Sequence, residues 1–85
     1  MRDIRFHSDA LRQYNEWAAR DIKIFERIRE LLKNIGENSF KGIGKPEPLK
    51  FGYKGYWSRR ITQEHRLVYR VETHSIIIFS CTGHY

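Results

Sequence analysis

Hydrophobic residues recur with two different periods along this chain. Between residues 2 and 7 they alternate with polar residues, with Ile4 and Phe6 on one side, which predicts a short first strand. Between residues 11 and 35 they fall three or four positions apart, which is the spacing of one face of a helix. The chain is therefore predicted to begin with one strand and two helices.

Three residues mark the expected ends of the helices. Ser8 and Asp21 are of the types that cap helix N termini, so we expect the helices to begin after them, and Gly36 is the expected end of the second. Both helices carry an apolar stripe, which we interpret as core packed on a sheet rather than as a cofactor site. The stripes consist of Leu11, Tyr14, Trp17 and Ala18, and of Phe25, Ile28, Leu32 and Ile35.

The second half of the sequence combines a loop with three strands. Glycines and Pro46 predict a loop over residues 36–46, which lacks the GxxxxGK(S/T) pattern of a nucleotide-binding loop. Strands are predicted over residues 56–61, 65–71 and 75–81, the last of them apolar enough to be central in a sheet. The order predicts an α+β fold in one domain over residues 1–85, with two N-terminal helices packed on a mostly antiparallel sheet.

Charge is concentrated in the second half of the chain. The 85 residues include 16 Lys and Arg against 10 Asp and Glu, a net charge of +6. Residues 41–85 hold 8 basic and 3 acidic side chains, whereas residues 1–40 hold 8 and 7. With 40% hydrophobic residues the chain is too apolar for a disordered basic tail. We expect a polyanionic partner, with nucleic acid favoured over an acidic protein or a membrane surface.

Several classes of protein are excluded by what the sequence lacks. The single cysteine, Cys81, cannot form an internal disulfide and no signal-peptide pattern opens the chain, so a cytoplasmic location is expected. The longest apolar run, residues 76–79, is far shorter than the roughly 18 residues of a membrane span. The histidines and Cys81 form no HxxxH or CxxC pair, so neither a metal nor a cofactor is expected, and His65 is interpreted as a core or turn histidine.

Two arginines are predicted to face each other on the side of the sheet away from the helices. Alternation of side chains places Arg60 opposite Arg66 across a turn at residues 62–64. Like charges directly opposed destabilise a ladder, so a bound anion such as phosphate is one interpretation. The alternative is a solvated face partly neutralised by Glu64 or Glu72.

A carboxylate and a histidine complete a candidate catalytic set. Glu47 lies between Pro46 and Pro48, which restrict its backbone, and nearby cations favour the ionised form that a general base needs. An ordinary ion pair with Lys50 is the alternative. His84 is a candidate general acid. Together with the arginines, these groups suit metal-free cleavage of RNA by its own 2′-hydroxyl, which leaves 2′,3′-cyclic phosphate and 5′-hydroxyl ends.

Four segments of the sequence together resemble the YoeB/Txe family of toxins in the RelE superfamily. They are GKPEPLK at residues 44–50, WSRRIT at 57–62, EHRLVY at 64–69 and HY at 84–85. The resemblance implies a microbial-ribonuclease-like fold and a ribosome-dependent endoribonuclease that cuts mRNA in the ribosomal A site. It also implies a partner, a YefM/Axe-type antitoxin that covers the active face and binds operator DNA together with the toxin. A homodimer is left open.

The resemblance also implies roles for individual residues. Glu47 is similar to the family's general base, His84 to its general acid and Arg66 to its main transition-state stabiliser. Lys50 and Arg60 are similar to the family's supporting phosphate ligands, and Tyr85 to the terminal residue that stacks on a base or positions the general acid. Lys45 and Arg59 are also expected to bind RNA or phosphate. Thr82 stands where family members often have a basic residue, which removes one expected contact with RNA.

Two other hypotheses compete with this one. The chain could be a non-catalytic module that binds RNA or the ribosome and blocks translation by occupancy, for which the basic face would serve equally well. It could also be a free ribonuclease that needs no ribosome.

Overall fold

We describe the protein from a computed structural model, over residues 2–50 and 54–83. His84 and Tyr85, which received roles above, lie outside the described residues. The elements, in chain order, are β1 (Asp3–Phe6), α1 (Ser8–Arg20), α2 (Ile22–Glu37), β2 (Glu47–Pro48), β3 (Tyr56–Arg60), β4 (Arg66–Val71) and β5 (Ser75–Ser80).

The strands form one sheet in the order β1-β5-β4-β3-β2, with both helices packed on one face. The β1–β5 pair is parallel, and the β2–β3, β3–β4 and β4–β5 pairs are antiparallel. The predicted α+β fold with a mostly antiparallel sheet is confirmed. β5 lies inside the sheet, as its apolar sequence indicated, and β2 is an edge strand that the sequence analysis did not identify. Pro48 is tolerated there because an edge strand does not need every backbone donor.

The helix ends differ from two of the three expectations. Asp21 caps α2 as predicted, since its Oδ1 accepts hydrogen bonds from the backbone N–H groups of Lys23 (3.1 Å) and Ile24 (3.3 Å). Ser8 is the first residue of α1, and the cap is His7, whose Nδ1 accepts from Asp9 N–H at 3.4 Å. Gly36 stays helical, and α2 continues to Glu37.

The core lies between the helices and the sheet. Trp17, Ile28 and Ile35 are buried, which confirms part of the predicted stripes, whereas Leu11 is 45% exposed. The buried core consists of Ala10, Trp17, Ile28, Leu31, Ile35, Ile61, Leu67, Tyr69, Ile76, Ile78 and Cys81. This core covers one face of the sheet, and the helices leave the other face uncovered. In the described part of the chain, neither helix is long and apolar enough to cross a membrane.

Candidate functional site

The face of the sheet opposite the helices, called here the second face, carries most of the predicted site. Strand register fixes which residues share it, because directly opposed residues in adjacent strands point to the same side. One row across β2, β3, β4 and β5 consists of Glu47, Ser58, Val68 and Ser80. A second row consists of Tyr56, Arg70, Ile77 and Arg5.

Arg60 and Arg66 are directly opposed at the end of the β3–β4 ladder, as predicted. Arg60 is exposed and Arg66 is half-buried. The two expected neutralising acids do not pair with them: Glu72 lies 3.8 Å from Arg70, and no ion pair within residues 2–50 and 54–83 includes Arg60, Arg66 or Glu64. Two opposed guanidinium groups without a carboxylate partner in this part of the chain form a suitable place for an anion.

Glu47 lies on the strand next to this pair, and Ser58 is positioned between it and Arg66. Its exposed side chain extends from β2 directly opposite Ser58, whose hydroxyl accepts a hydrogen bond from Arg66 Nη1 at 3.5 Å. Side chains directly opposed on one face have Cβ atoms about 5 Å apart. In residues 2–50 and 54–83, Glu47 makes no ion pair with Lys50 or any other cation. The structure thus brings Glu47 and Arg66 to the same small area of the second face.

A turn at Gly44 and Lys45 directs the chain into β2. Gly44 O accepts a hydrogen bond from Arg60 N–H at 2.7 Å, and both turn residues have positive φ, +80° and +52°. A Cβ atom on Gly44 would lie 2.8 Å from Leu31 Cδ2, so glycine is needed there for space as well as for backbone conformation. Lys45 and Lys50 are both exposed and flank β2, one before the strand and one after it.

Arg59, which was expected to bind RNA or phosphate, is not on the second face. It points to the helix side with 0% exposure, and its Nε donates to Tyr69 Oη at 3.1 Å. Its remaining hydrogen bonds go to Asn34 Oδ1 and to the carbonyl oxygens of Ile43 (3.2 Å), Asn38 (2.7 Å) and Lys41 (3.1 Å). A guanidinium enclosed in this way has no surface to offer a phosphate, so this expectation is corrected: Arg59 organises the loop that leads to Gly44.

The C-terminal segment reaches the same area through Gly83. Gly83 O accepts a hydrogen bond from the backbone N–H of Arg66 at 2.7 Å, and Gly83 N–H donates to Nδ1 of His65 at 2.9 Å. His84 is the next residue in the sequence. The last described residue therefore lies beside the arginine pair.

An aromatic group on the second face was not identified from the sequence. The β4–β5 register shifts between Val68 and Tyr69, which leaves Phe79 without an opposed residue. The Phe79 ring lies 5.0 Å from that of Tyr56 and 5.6 Å from that of His7. Simple alternation places Tyr56 on the side of Ser58 and Arg60, and Phe79 on the side of Ile77. Nothing in the sequence marks the bulge, after which Ser80 lies on the second face and Cys81 in the core.

Two titrating groups in the core, Tyr69 and Cys81, have raised pKa values. Burial, with a smaller effect from Glu16, raises the pKa of the Cys81 thiol to about 12. Burial also raises the pKa of Tyr69, although its hydrogen bond with Arg59 acts in the opposite direction. Within the described residues, no three His, Cys, Asp or Glu side chains are grouped so that they could hold a metal ion.

Comparison with known proteins identifies the family. A family model described as a YoeB-like toxin of bacterial type II toxin-antitoxin systems matches residues 6–85. The chain belongs to the YoeB toxin family. The resemblance inferred from the four sequence segments is therefore confirmed.

Relatives and solved structures in the YoeB family match nearly the whole chain. Toxin YoeB of Escherichia coli strain K12 is 50% identical over 72 residues, which cover 85% of this chain and 86% of that protein. The structure of a YoeB dimer from Staphylococcus aureus has a TM-score of 0.92 and 47% identity, covering 99% of this chain and 98% of that one. A YoeB-YefM complex from the same organism has a TM-score of 0.89 and 45% identity, and the match covers 100% of this chain and 99% of that one.

Proposed function

We propose that this YoeB-family toxin is a ribosome-dependent endoribonuclease that cleaves mRNA in the ribosomal A site. The observation that carries the proposal is the position of Glu47 and Arg66 on either side of Ser58, on a face where Arg60 and Arg66 have no carboxylate partner within the described residues. A carboxylate placed beside unpaired cations suits proton transfer next to a bound phosphodiester.

The proposed chemistry needs one base, one acid and a source of positive charge. Glu47 removes the proton of the 2′-hydroxyl, and the 2′ oxygen attacks phosphorus while the bond to the 5′ oxygen breaks. His84 gives a proton to that departing oxygen, so the products are a 2′,3′-cyclic phosphate and a 5′-hydroxyl. Arg66, assisted by Arg60, stabilises the negative charge that develops on the phosphate oxygens.

The remaining residues of the proposed site hold and orient the RNA. Ser58 orients the guanidinium of Arg66, as their 3.5 Å contact indicates. Lys45 and Lys50, exposed at the two ends of β2, bind neighbouring phosphates, and Tyr85 stacks on a base or positions His84. The proposed proton transfers and charge stabilisation require no metal ion or cofactor.

The proposal extends to protein partners. YoeB from S. aureus has been solved both as a dimer and in complex with YefM. We extend both assemblies, the homodimer and the complex with an antitoxin, to this chain. An antitoxin of the YefM/Axe type neutralises the toxin in the cytoplasm, and the pair binds operator DNA through the antitoxin. An acidic antitoxin segment would suit the second face, since four arginines (Arg5, Arg60, Arg66 and Arg70) lie along it.

The test compares Glu47→Gln with the matched control Glu26→Gln, an exposed glutamate of α2 on the helix side. In a translating extract we expect Glu47→Gln to lose at least about 100-fold in cleavage rate, the typical contribution of a general base, while ribosome binding is retained. Glu26→Gln should cleave like the wild type. If Glu47→Gln still inhibits translation fully, the protein acts by occupancy instead. Cleavage of naked RNA at the rate seen on ribosomes would establish a free ribonuclease.

A further inference from the structure

The backbone of Gly83 is held on both sides by two consecutive residues. Its N–H donates to Nδ1 of His65 at 2.9 Å and its carbonyl accepts from the N–H of Arg66 at 2.7 Å. Gly83 has a φ of +77°, a conformation that glycine adopts without strain. The last described residue therefore has a defined orientation, and within residues 2–50 and 54–83 its side-chain partner is the imidazole of His65.

The segment before Gly83 is held just as firmly by α1. Cys81 N–H donates to Gln13 Oε1 at 2.8 Å, and Cys81 O accepts from Trp17 Nε1 at 2.9 Å. Cys81 itself is completely buried. Gly83 thus closely follows a residue that two hydrogen bonds hold against α1.

His65 is itself held in place. Its ring lies edge-on to Trp17, with centroids 4.9 Å apart and an angle of 71° between the planes. Its backbone N–H donates to Thr62 Oγ1 at 3.1 Å, and its carbonyl accepts from the N–H groups of Ile61 (2.9 Å) and Thr62 (3.1 Å). A ring fixed by packing and by its own turn makes a precise hydrogen-bond acceptor.

We propose that His65 is a positioning residue for RNA cleavage: its Nδ1 fixes the Gly83 backbone and so orients His84, the next residue, toward the phosphate. This inference rests on the proposed function, in which His84 is the general acid. The hydrogen bond requires the tautomer of His65 that carries its proton on Nε2, because Nδ1 is the acceptor. Displacing a catalytic group by about 1 Å can cost about 100-fold in rate, so one backbone hydrogen bond at this point has a large effect.

Two substitutions separate the acceptor from the ring. His65→Phe keeps an aromatic ring against Trp17 and removes the acceptor, whereas His65→Asn removes the ring and retains a carbonyl oxygen close to the position of Nδ1. The matched control is His74→Phe, at an exposed histidine between β4 and β5. A purely structural role for His65 would make Asn the more damaging change, since it loses the contact with Trp17.

The experiment measures single-turnover cleavage on programmed ribosomes and, separately, affinity for the ribosome. We expect His65→Phe to lose about 10-fold to 100-fold in cleavage rate with its ribosome affinity unchanged. His65→Asn should recover most of that rate although it is the less stable of the two, and His74→Phe should match the wild type. Full activity of His65→Phe, or lower activity in His65→Asn than in His65→Phe, overturns the inference.

A second measurement on the wild type avoids dependence on the folding of any variant. Nitrogen-15 NMR of the histidine side chains should show His65 with an unprotonated, hydrogen-bonded Nδ1, and Gly83 N–H should be protected from hydrogen exchange. A proton on Nδ1 of His65, or rapid exchange of Gly83, contradicts the inference. His84→Ala separates the two hypotheses: if it cleaves like the wild type, the proposed function fails, whereas inactivity of His84→Ala with full activity of His65→Phe refutes only the positioning role.

Discussion

Arg59 is a buried cation whose described partners are neutral oxygen atoms. The carbonyl of Asn38, which follows the C terminus of α2, is among them, and the negative end of the helix dipole favours a positive charge there. The guanidinium also bonds to the carbonyls of Lys41 and Ile43. Arg59 therefore connects the end of α2, the loop after it and β3.

The first prediction concerns this residue. Arg59→Met should lower the free energy of unfolding by at least about 3 kcal/mol, because each buried polar group left without a partner costs about 1 to 3 kcal/mol. The measurement is urea denaturation. Arg60→Met, the exposed neighbour on the opposite face, serves as control and should change stability by less than about 0.5 kcal/mol. Equal stability of the two variants would contradict the role given to Arg59.

Cys81 gives a prediction for pH. Burial raises the pKa of its thiol to about 12, from about 8.5 in an unfolded chain. Since the folded-state pKa is the higher one, the contribution to stability is complete below about pH 8.5 and is lost as the pH rises toward 12. At pH 8 the native protein should resist alkylation by iodoacetamide, and the urea-unfolded chain should react readily. Fast labelling of the native protein would contradict the buried, neutral thiol.

At the scale of elements, the turn that leads into β2 is set by Gly44. Gly44 and Gly55 both have positive φ, +80° and +87°, but a Cβ atom on Gly44 would lie 2.8 Å from Leu31 Cδ2, whereas on Gly55 the nearest atom within 4 Å is Arg70 Nε at 3.9 Å. A substitution would therefore meet the same backbone strain at both positions, but the space around the two positions differs.

This contrast yields a paired prediction. Gly55→Ala should cost about 1 kcal/mol of stability from φ alone, and Gly44→Ala should cost about 1 to 3 kcal/mol more because the core must move. Gly44→Ala should also reduce cleavage, since the turn places Glu47. Equal losses of stability in both variants, measured by urea denaturation, would show that the close approach to Leu31 has no energetic effect.

Most elements could be predicted from the sequence because hydrophobic periodicity reports directly on which face is buried. The same alternation placed Arg60 opposite Arg66, and the structure confirms it. Arg59 lies on the same side of the predicted strand as Trp57 and Ile61, so alternation also predicts that it faces the core. It was nevertheless expected at the surface because its side chain is charged. β2 was not predicted because a strand of two residues, one of them proline, is too short to show an alternating pattern. The bulge beside Phe79 depends on packing between strands and leaves no local pattern.

At the scale of the whole molecule, the asymmetric charge predicts binding that depends on salt. Each phosphate contact that is lost should reduce the slope of log affinity against log salt by about 0.7 to 0.9. Arg60→Gln and Arg66→Gln should each show this reduction in ribosome binding. Arg12→Gln is the control, because Arg12 lies on α1 and pairs with Glu16 at 3.0 Å. Equal slopes for all three variants would show that the second face does not contact phosphate.

In the proposed mechanism the RNA's own 2′-hydroxyl is the nucleophile, Glu47 activates it on the second face, and His84 protonates the departing 5′ oxygen. Mass spectrometry of mRNA fragments released from ribosomes tests it most directly, because the ends of the fragments record which oxygen attacked. Attack by the 2′ oxygen leaves a 2′,3′-cyclic phosphate on the upstream fragment and a 5′-hydroxyl on the downstream one. A 3′-hydroxyl paired with a 5′-phosphate would contradict it.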